Sequence, residues 1–154
     1  MTPEQIEALI VGIFTKLRSH AGPLGIFEHV EGHALINPPP SGTAVAFEFG
    51  TFNPYAAGSG LASTSMLLTV TASVYKPLQT QPADDIETSI SGAAAALMGA
   101  LSGDFDLGSQ VRNVQLLDMG ANGGYVKIGG GETTFRTVIV TIPMVISDVF
   151  EQVN

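Results

Sequence analysis

Between Leu61 and Tyr75 the chain reads LASTSMLLTVTASVY, a period-two pattern longer than any other in the sequence. Ala62, Thr64, Met66, Leu68, Val70, Ala72 and Val74 fall on one side of an extended strand, and Ser63, Ser65, Thr69, Thr71 and Ser73 fall on the other. One face is apolar and the other is small and hydroxylated. At about 3.3 Å per residue such a strand runs on the order of 45–50 Å, far past the usual span of roughly five or six residues. It must therefore bend with the body or project from it as a ribbon, and its apolar side needs a covering layer.

Helices supply that layer. Thr2 suits an N-cap, Pro3 the first helical position and Gln5 the closing position of a capping box, so a helix is predicted from Pro3 to Arg18. Ile6, Leu9, Ile10, Ile13, Phe14 and Leu17 mark its buried stripe, with Glu4 and Glu7 near its positive end and Lys16 and Arg18 near its negative end. A second helix is predicted from Asp85 to Leu101, capped by Asp84 with Glu87 in the capping-box position. Its stripe is Ile86, Ile90, Ala93 or Ala94, Leu97 and Leu101. Gly92 and Gly99 among so many alanines predict a close approach to the sheet.

The remaining segments are strands and loops. Thr43 to Phe52 reads as a strand with Val45, Phe47 and Phe49 on one side, ended by Asn53-Pro54. Glycines and prolines break up the interval before it, above all Asn37-Pro38-Pro39-Pro40, and Tyr55 to Gly60 leads into the long strand. After a turn-rich link from Asp104 to Gln110, Val111 to Leu117 and Tyr125 to Ile128 are expected as strands joined through a turn at Gly120 to Gly124. Gly129 to Gly131 form the next turn, into a strand from Thr133 to Phe150. That last strand is apolar on both faces near its middle, and Pro143 marks a bulge or local edge. The pattern predicts one α+β domain over residues 1–154, mainly antiparallel sheet packed against two helices, with long loops and a projecting ribbon.

Charge and composition exclude several roles. Six Lys and Arg against 14 Asp and Glu give a net charge of −8, which cannot form the basic stripe that phosphate neutralisation requires. With no cysteine in the chain, disulfides and thiolate metal sites are absent. No apolar run approaches the roughly 18 residues of a membrane span, and the N-terminus lacks the basic and apolar regions of a signal peptide, so synthesis in a cytoplasm and no membrane partner are expected. A charged fraction of 13% is low for a monomer and points to oligomerisation.

Each possible catalytic group has a plainer explanation. His29 and His33 with Glu28 and Glu31 could ligate a metal, but they lie in a glycine-broken loop and read as solvated. The glycines from Gly120 to Gly131 lack the Gly-Lys-Ser/Thr ending of a phosphate loop. Asp84 and Asp85 serve as helix-start residues, and Ser59 lacks a nucleophile elbow. No nucleophile stands beside a positioned base, so neither an enzyme nor a cofactor is expected.

Three phrases carry a resemblance: SGLASTSMLLTVTASVY at Ser59 to Tyr75, ALMGALSGDFDLGSQVRNVQLLDMG at Ala96 to Gly120, and FRTVIVTIPMVISDVFEQV at Phe135 to Val153. Together with the N-terminal helix, the Gly32-His33 loop and the Asp84-Asp85 helix start, they resemble the tail terminator proteins of actinobacterial phages with long non-contractile tails. The resemblance implies a virion protein at the head-proximal end of the tail, forming a homo-oligomeric ring, commonly of six subunits. Such a ring caps the tail-tube protein, halts its polymerisation and docks the head–tail connector or neck protein, while DNA passes through the lumen without specific binding. Pro38, Pro39, Pro40, Asn53, Pro54 and Tyr55 are the candidate contacts with tube or connector, while the hydroxylated side with Thr69 and Thr71 is suited to lie against a neighbouring subunit or to line the channel. Another neck or head-completion protein, or the tail-tube subunit itself, fits the same size and pattern. A small enzyme or ligand-binding domain is the alternative of a different class.

Overall fold

The computed structural model describes residues 1–151 apart from Pro40, Leu61 and Gln81. Its elements follow in the order α1 (Pro3–Ala21), β1 (His29–Glu31), β2 (Ala44–Pro54), β3 (Ser63–Pro77), α2 (Asp85–Ser102), β4 (Asn113–Val114), β5 (Gly120–Lys127) and β6 (Thr134–Glu151). One mixed sheet runs β1-β2-β3-β6-β4, with β5 also paired to β6. Among the described strands only the β1–β2 pairing is parallel. The architecture is a single α+β domain, as the pattern predicts.

Both helices cover the apolar face of β3. Met66, Leu68, Val70, Ala72 and Val74 share one core with Val45 and Phe47 of β2, with Val138, Val140, Ile142, Met144 and Ile146 of β6, and with Ile13 and Leu17 of α1 and Leu97 and Leu101 of α2. Cross-strand partners lie on the same side of a sheet, and the register Val45↔Val74 and Val70↔Ile142 agrees with that sorting. Burying side chains of this size contributes roughly 1.5–3 kcal/mol each, and this one face carries most of the apolar burial in the chain.

α1 starts as its sequence dictates. The Thr2 hydroxyl accepts from the Gln5 N–H, the Gln5 side chain accepts from the Thr2 N–H, and Pro3 follows the cap. The helix outlasts its predicted end by one turn, to Ala21. α2 buries the expected Ile86, Ile90, Ala93, Ala94, Leu97 and Leu101 but begins differently. Asp84 is already in helical conformation (φ −62°, ψ −21°) and makes no side-chain cap. The N–H groups of Asp85 and Ile86 bond instead to the Pro82 and Ala83 carbonyls of a preceding turn. Glu87 cannot reach back to close a capping box because it holds Arg136 of β6, at 2.9 and 3.3 Å. The two helical glycines also differ from expectation, since a side-chain carbon at Gly92 or Gly99 would meet nothing within 4 Å. Close approach to the sheet is made by Ala93 and Ala94.

The largest departure concerns Gly120 to Gly124. These residues form the first half of β5, in register with Thr137 to Thr141 of β6, and not a hairpin turn. Before them only Asn113–Val114 is strand, followed by a tight turn that leaves Leu117 fully exposed. Continuous pairing along a long neighbour outweighs the glycines' weak strand propensity. The true turn is Gly129-Gly130, both at positive φ, where glycine avoids the steric penalty of a side chain.

Pro143 sits where β5 has ended at Thr141 and β4 begins opposite Met144. Its carbonyl accepts from Gln115 N–H on that side (2.8 Å), so its missing N–H also faces that side and the β3 ladder is undisturbed. The β3–β6 irregularity falls between Thr64 and Met66 instead. There Asp148, at φ 58°, accepts from the Ser63 hydroxyl and donates its N–H to Ser65 Oγ.

Candidate functional site

The side of the sheet away from the helices is set by the same alternation. Thr69 and Thr71 of β3 point there with Thr51 and Glu48 of β2, their partners in register, and with Thr141 of β6 opposite Thr71. Ile139 of β6 and Asn122 of β5 continue the row. Thr69, Thr71, Thr141 and Glu48 are half-buried, whereas Thr51, Asn122 and Ile139 are exposed. The strip is thus four threonines, one asparagine, one isoleucine and one carboxylate, and it carries none of the molecule's Lys or Arg side chains.

Each end of this face is covered by a loop. At one end the chain between β1 and β2 reaches the β5–β6 turn, where a side chain on Gly129 would collide with the Ile36 carbonyl and one on Gly131 would touch Pro38. Phe135, Thr137 and Ser73 are buried in that region. Tyr75 lies close by, and its burial pushes the phenol pKa up, with Glu48 adding to the effect against an opposing hydrogen bond from Ser73. At the other end Tyr55 N–H bonds to the Ser65 carbonyl (2.8 Å), and Gln115, which follows β4, donates to the Tyr55 hydroxyl at 3.0 Å. By strand parity Tyr55 and Gln115 both lie on this face, so their bond spans β3 and β6.

The candidate contact residues fall into three groups, of which Thr69, Thr71, Asn53 and Tyr55 point to this face while Pro54, opposite Met66, points to the helix side. Pro38 (exposed) and Pro39 (half-buried) belong to the first loop, while Pro40 lies outside the described residues. Thr69 and Thr71 form the middle. Asn53 and Pro54 are exposed at the tip of β2, beside Tyr55. Sequence reasoning missed Thr51, Asn122, Ile139 and Thr141. The available signal was the alternation of Ile139 and Thr141 with the buried Val140 and Ile142, which read as a strand apolar on both faces.

No free ribbon forms among the described strands, since β3 is paired with β2 and β6 along most of its length, and the most exposed part of the sheet's long strands is the outer half of β2. From Phe49 to Pro54 all residues except half-buried Phe52 are exposed, beyond a bulge at Gly50 between Phe49 and Thr51. A side-chain carbon at Gly50 would come within 2.7 Å of the Thr69 carbonyl oxygen.

Of the polar groups weighed for metal binding, His29 and Glu31 stand in β1 and not in a loop, opposite Ala44 and Ala46 of β2, so they border this face at its β1 edge. His33 pairs with Glu31 at 3.3 Å and with the Ala34 carbonyl. Among the described residues no three His, Asp or Glu side chains gather as metal ligands, and no described helix is long and apolar enough to cross a membrane. His20 and Asp104 meet at 2.8 Å, joining the end of α1 to the segment after α2. Compared with known proteins, the sequence matches no family model and no curated protein.

Proposed function

We propose that this chain is a structural virion protein, a tail terminator whose ring, of six subunits, caps the tail tube, stops its polymerisation and presents a face to the head–tail connector. The observation that carries the proposal is the uncovered strip on the sheet. A protein with a net charge of −8 leaves open a long row of hydroxyls and one isoleucine, with Glu48 as its carboxylate, Glu31 at its β1 edge and no Lys or Arg. Such a surface suits burial against protein better than a solvated exterior. With so little charge, it also suits contact with a neighbouring subunit better than a DNA-repelling lumen. The loops at its two ends, around Pro38 and around Asn53 to Tyr55, are the surfaces offered to tube and connector. The role requires no reaction and no cofactor.

Negative-stain electron microscopy of the purified protein, alone and with tail tubes, tests the proposal. Closed rings of one size that do not grow are the expected result. Long tubes from this protein alone would make it the tube subunit, and monomers in both samples would overturn the ring.

A further inference from the structure

Lys76 and Arg136 stand opposite each other on β3 and β6, on the helix side of the sheet. Two cations placed directly across a strand pair repel, and both reach up to α2. Arg136 is compensated. Its guanidinium holds Glu87 at 2.9 Å, donates to the Gly124 carbonyl at 2.8 Å and lies 4.7 Å from the centre of the Tyr125 ring. Lys76 reaches only a hydroxyl, Ser89 Oγ at 2.6 Å, and among the described residues no carboxylate stands within ion-pair distance of it. This ammonium is half-buried at the wall of a cleft of about 410 Å³ between α2, the end of β3 and the start of β2.

The cleft is lined by polar and apolar groups. Thr43, Thr88 and Ser89 join Lys76, while Ile26, Ala93 and Ala96 supply apolar wall and Gly92 leaves the space open. Because Ser89 Oγ accepts from Lys76, its own O–H is left to donate, and the ammonium keeps two further protons. The ammonium and the Ser89 hydroxyl are therefore donors that carry one positive charge, while the Thr88 hydroxyl already donates to the Asp85 carbonyl at 3.3 Å. We propose that this cleft binds a short-chain aliphatic monocarboxylate, its carboxylate on Lys76 and Ser89 and its chain along Ile26, Ala93 and Ala96. One carboxylate matches one ammonium. A phosphate dianion would bring surplus negative charge into a protein already at −8, with no arginine fork to receive it. The cleft's volume and its few polar groups on apolar walls are those of a small-molecule site. The inference is independent of the ring.

Titration of the ¹⁵N-labelled protein with acetate, butyrate and hexanoate, followed by amide chemical shifts, tests it. Saturable shifts at Ser89, Gly92 and Ala93 are expected, tightening several-fold from acetate to hexanoate. Phosphate and butylamine are expected to leave these amides unmoved. Lys76→Met should weaken hexanoate at least tenfold with the remaining spectrum intact, whereas Lys127→Met should not. If Lys76→Met disturbs the fold, Ser89→Ala provides the same comparison. The site is overturned by non-saturating shifts, by equal response to phosphate, or by hexanoate binding that survives both Lys76→Met and Ser89→Ala.

Discussion

At Asp104 the carboxylate accepts from His20 Nε2 at 2.8 Å and from the Gly108 N–H at 3.0 Å. The His20 hydrogen bond is the larger cause, the Gly108 N–H the next, and together they hold the Asp104 pKa below the usual aspartate value. A carboxylate with a depressed folded-state pKa adds stability that is fully present above its unfolded value, about 4. That stability is lost as pH falls through the lower folded value. Asp104→Asn should therefore be less stable than the parent at pH 6, and the gap should shrink as pH falls below about 4 and close once it has passed the lower folded-state value. Urea unfolding across that range measures the difference, and a gap independent of pH would show that the pair adds nothing through ionisation. Thr137 offers a second case. Its hydroxyl is buried with no hydrogen-bond partner, and an unsatisfied buried hydroxyl is destabilising by about 1–3 kcal/mol. Thr137→Val keeps the shape and removes the hydroxyl, so it should raise unfolding stability by about 1 kcal/mol.

Among the elements, legibility followed burial. The two helices and β3 were readable because each buries a single face, so apolar spacing alone fixes its type and orientation. β5 was readable only in its second half, from Tyr125, because Gly120, Gly123 and Gly124 carry turn chemistry and only pairing with β6 makes them strand. The start of α2 at Asp85 was readable but its capping box was not, because Glu87 is claimed by a cation some fifty residues away, a contact that local spacing cannot reveal. Likewise, the uncovered strip was half legible: the hydroxyl side of β3 is in the sequence, while its neighbours Thr51 and Thr141 depend on register. Two substitutions test this reading. Gly99 faces open space, so Gly99→Ala should stabilise by up to about 1 kcal/mol through helix propensity. Gly50→Ala, which drives a side chain against the Thr69 backbone, should destabilise and loosen the β2–β3 ribbon, visible as faster amide exchange from Thr51 to Asn53.

For the whole molecule, the sheet divides two tasks. Its apolar side holds α1 and α2 and makes the fold, while the opposite side leaves Thr51, Thr69, Thr71 and Thr141 for an assembly. The proposed ring needs that second side to be covered by another subunit. Adding charge there should therefore separate folding from assembly, because Thr69 and Thr71 are half-buried on the open face and touch no part of the helix-side core. The most direct measurement is sedimentation of the Thr69→Lys/Thr71→Lys variant beside the parent, with circular dichroism to follow the fold. The account predicts a parent that sediments as a ring and a variant that keeps the parent's spectrum but sediments as a monomer. A variant that assembles as the parent does would contradict it.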